Sequence, residues 1–146
     1  MVGPYRHILL VVDLSEDSPA IGSRARALAQ ALGAQVELLH VVEFVPVEPM
    51  GETLLPAVQM QDELVERSQR RLQALAAELG LAGARCRVES GNVKSEIVRV
   101  ARELRSDLII IGSRERHGPS ILVNLTEDTV LHAAPCDVLA MRARGG

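Results

Sequence analysis

A glycine and a serine follow a short apolar run late in the chain, a pairing that often marks a phosphate-binding turn. The run covers residues 108–111, and Gly112 and Ser113 come directly after it. Glycine lets backbone N–H groups approach phosphate oxygens because it has no Cβ, and a following helix N-terminus then faces the anion. In the same turn, however, Glu115 places a carboxylate and Pro119 lacks an N–H donor. The pattern therefore indicates a phosphate site with two changes that oppose binding.

Some groups around this turn favour anion binding, whereas others disfavour it. Arg114 and Arg116 are positive and favour an anion. The helix expected next begins with Thr126, Glu127 and Asp128, whose side chains can cap its free N–H groups and satisfy its dipole. A helix end that is already capped has less to offer a phosphate, so a weaker anion site stays open as an alternative.

A second polar group follows an apolar run near the start of the chain. Asp13 and Ser15 come directly after residues 7–12. Asp13 can contact a ligand or serve as a turn residue, and both interpretations stay open. Ser15 has no identifiable base, so we expect it to cap a helix rather than act as a nucleophile. His40 has no second ligand at metal-binding spacing and is expected to be a hydrogen-bonded core histidine.

Short apolar segments rich in β-branched residues predict five strands, and the two most apolar suit the centre of a parallel sheet. The strands are expected at residues 7–12, 35–42, 85–89, 108–111 and 137–141.

Stripes of apolar residues at helical spacing predict four helices between the strands. Their members are Ile21, Ala25, Leu28, Ala29 and Leu32; Leu64, Leu72, Leu75 and Leu79; Ile97, Ala101 and Leu104; and Val130 with Leu131 before Pro135. Residues 43–56 are expected to be a long loop over the carboxyl edge, and residues 142–146 a flexible tail.

The alternation of strands and helices predicts an α/β fold, a single domain over residues 1–146 with a doubly wound, five-stranded parallel sheet. Ligands bind such sheets beyond the carboxyl ends of the strands, where the winding reverses. If the strand order is 3-2-1-4-5, residues 13–15 and 112–114 lie side by side at that point.

Four segments in register resemble the universal stress protein family. They are RHILLVVDLS at 6–15, GAQVELLHVV at 33–42, SDLIIIGSR at 106–114 and HAAPCDVL at 132–139. The resemblance implies an adenine nucleotide alpha hydrolase-like fold, a cytoplasmic location and a homodimer that pairs the last strand with its copy. The interface would then include Val138, Leu139, Ala140 and Met141.

The resemblance also implies where a nucleotide would bind, if one binds. Asp13 matches an acidic residue near the adenine and ribose, Val41 a position whose backbone lies near the adenine, and Gly112 and Arg114 the phosphate turn. Val41 is also explained simply as the end of a core strand, and we favour that explanation.

The family's ATP-binding branch carries a glycine, two residues, a second glycine, nine residues, then glycine with serine or threonine. Gly112 supplies the first glycine, but Glu115 stands at the second position. Counting on reaches Leu125 and Thr126, and counting back from Pro135 reaches residues 124–125, so neither count restores the last pair. We expect ordinary ATP binding to be lost and no cofactor to be required.

The composition limits the classes of partner that we expect the protein to bind. The net charge is −3 and the only aromatic residues are Tyr5 and Phe44, which disfavours a nucleic-acid-binding surface. The first apolar run is too short for a signal peptide, and no segment has the roughly 20 apolar residues of a membrane span. Cys86 and Cys136 would lie about 19 Å apart at opposite edges of the sheet, so we expect free, buried thiols.

These observations favour a dimeric, cytoplasmic stress-response or signalling protein without a catalytic set of its own, whose protein partner the sequence does not name. One alternative is a sensor that binds ATP, AMP or cyclic AMP with an altered phosphate turn. A less favoured alternative is a nucleotide-hydrolysing enzyme that uses Asp13 and Arg114.

Overall fold

The computed structural model describes residues 4–43, 54–113, 130 and 132–142, with the side chains of residues 54–59 and 113 left out. In chain order the elements are β1 (His7–Val11), α1 (Ser18–Leu32), β2 (Gln35–Glu43), α2 (Leu54–Glu78), β3 (Cys86–Gly91), α3 (Val93–Glu103), β4 (Leu108–Ser113) and β5 (Asp137–Arg142). All five strands are parallel, in the order β3-β2-β1-β4-β5. The predicted fold and strand order are confirmed.

The two most apolar strands occupy the middle of the sheet because helices cover both of its faces. Ile8 and Leu10 of β1 pack in one core cluster with α1 and α2, whereas Leu9 packs in a second cluster with α3. Each of these side chains is at most 1% exposed. A strand buried on both faces cannot alternate with polar residues, which is why the sequence reads as a continuous apolar run.

The helix ends follow local signals in the sequence. Gly33 ends α1 with φ of 65°, and its N–H bonds back to the carbonyls of Ala29 and Gln30. Asn92 begins α3, where its side chain accepts a 3.0 Å hydrogen bond from the Ser95 N–H.

The structure corrects three expectations about element bounds and burial. The predicted loop is shorter than residues 43–56, because β2 includes Glu43 and α2 begins at Leu54; Pro56 is tolerated in the first helical turn, where N–H groups need no helical partner. Leu64, assigned to the core stripe, is 43% exposed. Arg142, assigned to the tail, is the last residue of β5. The rest of the loop and tail lies outside the described residues.

The described part of the predicted fourth helix places Val130 in the core. Val130 is fully buried in the cluster beside α3, and its carbonyl accepts a 2.8 Å hydrogen bond from the Ala134 N–H. Leu131 lies outside the described residues. Within the described part of the chain no helix has both the length and the apolar character that a bilayer crossing requires.

Candidate functional site at the carboxyl edge of the sheet

The two turns expected to form a site leave the sheet from neighbouring strands. β1 and β4 are hydrogen-bonded in parallel, with Val11 opposite Ile111. Residues 12–15 and 112–113 therefore begin their turns side by side, at the point where the winding of the sheet reverses. Arg114 lies outside the described residues.

The turn after β1 is organised by the carboxylate of Asp13. Its Oδ1 accepts hydrogen bonds from the Ser15 N–H at 2.9 Å and from the Ser18 hydroxyl at 3.1 Å. Asp13 is thus a turn residue that ties β1 to the first residue of α1. The N-cap position of α1 is Asp17 rather than Ser15, so Ser15 caps the turn that leads into the helix and not the helix itself. Ser15 instead accepts a 3.4 Å bond from the Asp17 N–H with its hydroxyl.

Two side chains from other elements hold the same turn through its carbonyl groups. Leu14 has a left-handed backbone with φ of 59°, and its carbonyl accepts a 2.6 Å hydrogen bond from Arg71 Nη2 on α2. His40 Nδ1 lies 2.8 Å from the carbonyl of Val12. Because a carbonyl only accepts, Nδ1 carries the proton. The hydrogen-bonded role expected of His40 is confirmed, with a half-buried ring.

The hydrogen bond from His40 occupies the Val12 carbonyl, which a backbone N–H at the end of β2 would otherwise bond. The Leu39 carbonyl accepts from the Val12 N–H, so by alternation the N–H and C=O of Val41 point toward the β1 side as well. If the parallel ladder continued, the Val41 N–H would donate a hydrogen bond to the Val12 carbonyl. The structure shows no such bond between these two described residues. Val41 therefore turns its backbone toward the gap left by β1, while its side chain is 8% exposed in the core.

Gly112 has a packing role that sequence reasoning missed. A Cβ at position 112 would lie 2.5 Å from Cδ1 of Ile21 on α1. Ile21 is itself 6% exposed, so its side chain has little room to move away. A side chain at position 112 would therefore have to displace the end of the Ile21 side chain, which gives Gly112 a packing role between β4 and α1 whether or not a phosphate binds there.

Neither cysteine has the environment of a reactive thiol. Burial raises the pKa of Cys86, and burial together with the carboxylates of Asp137 and Asp107 raises the pKa of Cys136. Both thiols are half-buried rather than fully buried, and they belong to opposite edges of the sheet. Among the described residues, no group of three or more His, Cys, Asp or Glu side chains is placed to bind a metal ion.

The order of the strands and turns agrees with a match to a known protein family. The model of the universal stress protein family matches residues 4–142. This chain belongs to the universal stress protein family. Universal stress protein A homolog 2 of Coxiella burnetii is 34% identical to it over 143 residues, covering 97% of each chain.

Solved structures of universal stress proteins share the fold. UspA from Lactobacillus plantarum superposes with a TM-score of 0.71 at 24% identity, covering 94% of this chain and 98% of the other. A universal stress protein solved in complex with cAMP gives a TM-score of 0.66 at 19% identity, covering 96% and 98%. The family assignment and the sheet order support one another.

Proposed function

We propose that this protein is a dimeric, cytoplasmic stress-response or signalling module that does not bind ATP in the ordinary way. The observation that carries the proposal is the packing of Gly112 against Ile21. This contact accounts for the one glycine of the phosphate motif that the chain retains, so Gly112 by itself does not indicate a phosphate site. At the second glycine position the chain has Glu115.

The proposal includes no catalytic activity. Asp13 uses one carboxylate oxygen to hold its own turn, which suits a structural role better than that of a general base. The raised pKa values of the two cysteines disfavour a thiolate nucleophile. Incubation with ATP should release no ADP, AMP or inorganic phosphate beyond a buffer control, and measured turnover would favour the enzyme alternative.

Calorimetric titration with ATP tests the proposal. The wild-type protein should show no binding at micromolar concentrations. A variant with Glu115→Gly, Asn124→Gly and Leu125→Ser should bind ATP at least roughly tenfold more tightly, because glycine lets backbone donors reach the phosphates. Glu115→Gln alone is the matched control, since it removes the charge without freeing the backbone. Micromolar binding of ATP by the wild type would contradict the proposal.

The orientation of Val41 favours a second candidate, a sensor of a smaller adenine nucleotide. Its N–H and C=O face the gap beside β1, where a flat base could accept and donate hydrogen bonds. A solved member of the family is in complex with cAMP. Titration with AMP and with cyclic AMP, and analysis of nucleotide released on denaturation, would separate this candidate from the first.

A further inference from the structure

A shallow groove lies between α3 and the segment that contains Ala133, and its lining includes no residue of the turns after β1 and β4. Its volume is about 380 Å³, and it is lined by Lys94, Ser95, Val98, Arg99 and Arg102 of α3 together with Ala133. Lys94, Val98 and Arg102 are four residues apart and form one stripe along the helix. The floor is therefore apolar, with a cation toward each end.

Two of the three cations in this groove have no carboxylate partner among the described residues. Arg99 lies within 3.2 Å of Glu89 and 3.1 Å of Glu103 and also contacts Glu96, so its charge is compensated. Lys94 and Arg102 form no ion pair in this part of the chain.

Lys94 is also placed unfavourably for the helix. It lies in the first turn of α3, where the helix dipole disfavours a positive charge. It is half-buried, and it is the only lysine of the chain. An anion bound beside Lys94 would offset this cost.

We propose that this groove binds a free aliphatic carboxylate. The carboxylate pairs with Lys94, and the chain lies over Val98, Ala133 and the methylene stem of Arg102. Lys94 and Arg102 are about 12 Å apart along the helix axis at 1.5 Å per residue, which is about the length of an extended ten-carbon chain.

The size of the groove favours a small molecule over a protein partner. Small-molecule sites have volumes of roughly 300–1,000 Å³, and this groove falls in that range. A stable protein interface instead needs about 20–30 residues on each side, several times the number that line this groove. The proposal is independent of the nucleotide question, because none of its residues belongs to the turns after β1 and β4.

Calorimetric titration with sodium decanoate below its critical micelle concentration tests the proposal. Decanoate should bind, decanol should bind about fivefold more weakly, and acetate should give no heat of binding. Lys94→Gln should weaken decanoate binding about fivefold, the size of one exposed ion pair. Ala133→Phe should weaken it roughly tenfold or more, because the ring fills the groove while every charge is kept.

Arg70→Gln on α2 is the matched control, since it removes one exposed positive charge on the opposite side of the sheet and should change affinity less than twofold. Circular dichroism melts establish that each variant is folded, and Lys94→Gln remains a valid test if Ala133→Phe fails to fold. The proposal is overturned if decanoate does not bind, if decanol binds equally well, or if neither groove variant changes the affinity. An acyl chain with a negative head group could also come from a lipid surface, and sedimentation with anionic phospholipid vesicles tests this source. If the protein binds vesicles but not decanoate, and Ala133→Phe abolishes vesicle binding, the ligand is a lipid surface and not a free acid.

Discussion

The missing side chain of Gly112 sets how closely β4 and α1 can approach. A Cβ at this position meets Cδ1 of Ile21 at 2.5 Å, well inside van der Waals contact. Gly112→Ala should therefore lower the free energy of unfolding by about 1–3 kcal/mol, as overpacking does in well-packed cores. Urea denaturation followed by circular dichroism measures this loss.

The double variant isolates the contact. Ile21→Val removes the Cδ1 atom that the new methyl group would strike, and by itself should cost about 0.5–1.5 kcal/mol. In the Gly112→Ala, Ile21→Val protein the two costs should be less than additive, because the clash is gone. Strictly additive costs would show that glycine at position 112 serves some purpose other than this packing.

Arg71 holds the turn after β1 from a distance of 57 residues along the chain. Arg71→Gln should loosen the left-handed conformation at Leu14, because the carbonyl loses a hydrogen bond, and such bonds contribute about 1 kcal/mol net. The amides of Ser15 and Ser18 should then exchange with solvent about fivefold faster in a hydrogen-exchange experiment. Arg70→Gln removes the neighbouring charge and should leave these amides unchanged; equal acceleration in both variants would argue against a specific role of Arg71.

Strand β3 and helix α3 are joined by a network of five charged side chains: Arg87, Glu89, Glu96, Arg99 and Glu103. The hydrogen bond from Arg87, and then its charge, lower the pKa of Glu103. A lowered pKa in the folded state means that the stabilisation is present above the unfolded-state pKa and is lost as the pH falls through the folded value. Glu103→Gln should therefore make stability less dependent on pH in the acid range, as measured by urea denaturation across that range.

Glu78→Gln on α2 serves as the control for this measurement, since it changes the net charge equally without touching the network. Both variants should be compared at low and at high salt. The effect of Glu103→Gln should shrink in high salt, because screening weakens exposed ion pairs. An unchanged acid profile would mean that the network contributes nothing to folding.

Secondary-structure elements that local sequence patterns determine could be predicted from the sequence. Features that depend on tertiary contacts could be predicted less well. Strands and helices followed from apolar runs and stripes, and the end of α1 from Gly33. Leu64 satisfied the helical stripe of α2 but is exposed, whereas the polar Ser68 is buried, because periodicity does not reveal which side chains of a helix its tertiary contacts cover. The contacts of Gly112 with Ile21 and of Arg71 with Leu14 join distant segments, and no local signal could have revealed them.

At the scale of the whole molecule, the open question is what pairs with the outer edge of β5. Leu139 is 36% exposed and Ala140 is exposed, whereas Met141 is buried in the protein's own core and offers no side chain to a partner. An unpaired edge strand invites pairing with a second copy, and such a twofold interface uses the same strand twice. Leu139→Pro removes a backbone donor in both copies, so it should weaken the dimer more than the monomer fold.

Sedimentation velocity at micromolar concentration measures the dimer, and thermal melts measure the fold. Leu139→Ala is the matched control, because it removes the exposed side chain and keeps the backbone donor. A wild-type protein that sediments as a monomer of 15.8 kDa would refute the dimer. A dimer that survives proline at position 139 would place the interface on another surface.

The central position of β1 also bears on how the chain folds during synthesis. β1 leaves the ribosome before the other strands that the structure describes, yet one of its two neighbours, β4, begins only at Leu108. At translation rates of about 5–20 residues per second, roughly 5–20 s pass before β4 emerges. Throughout that interval the edge of β1 that will pair with β4 has no partner strand in the chain, and an unpaired apolar strand edge is open to pairing with other chains.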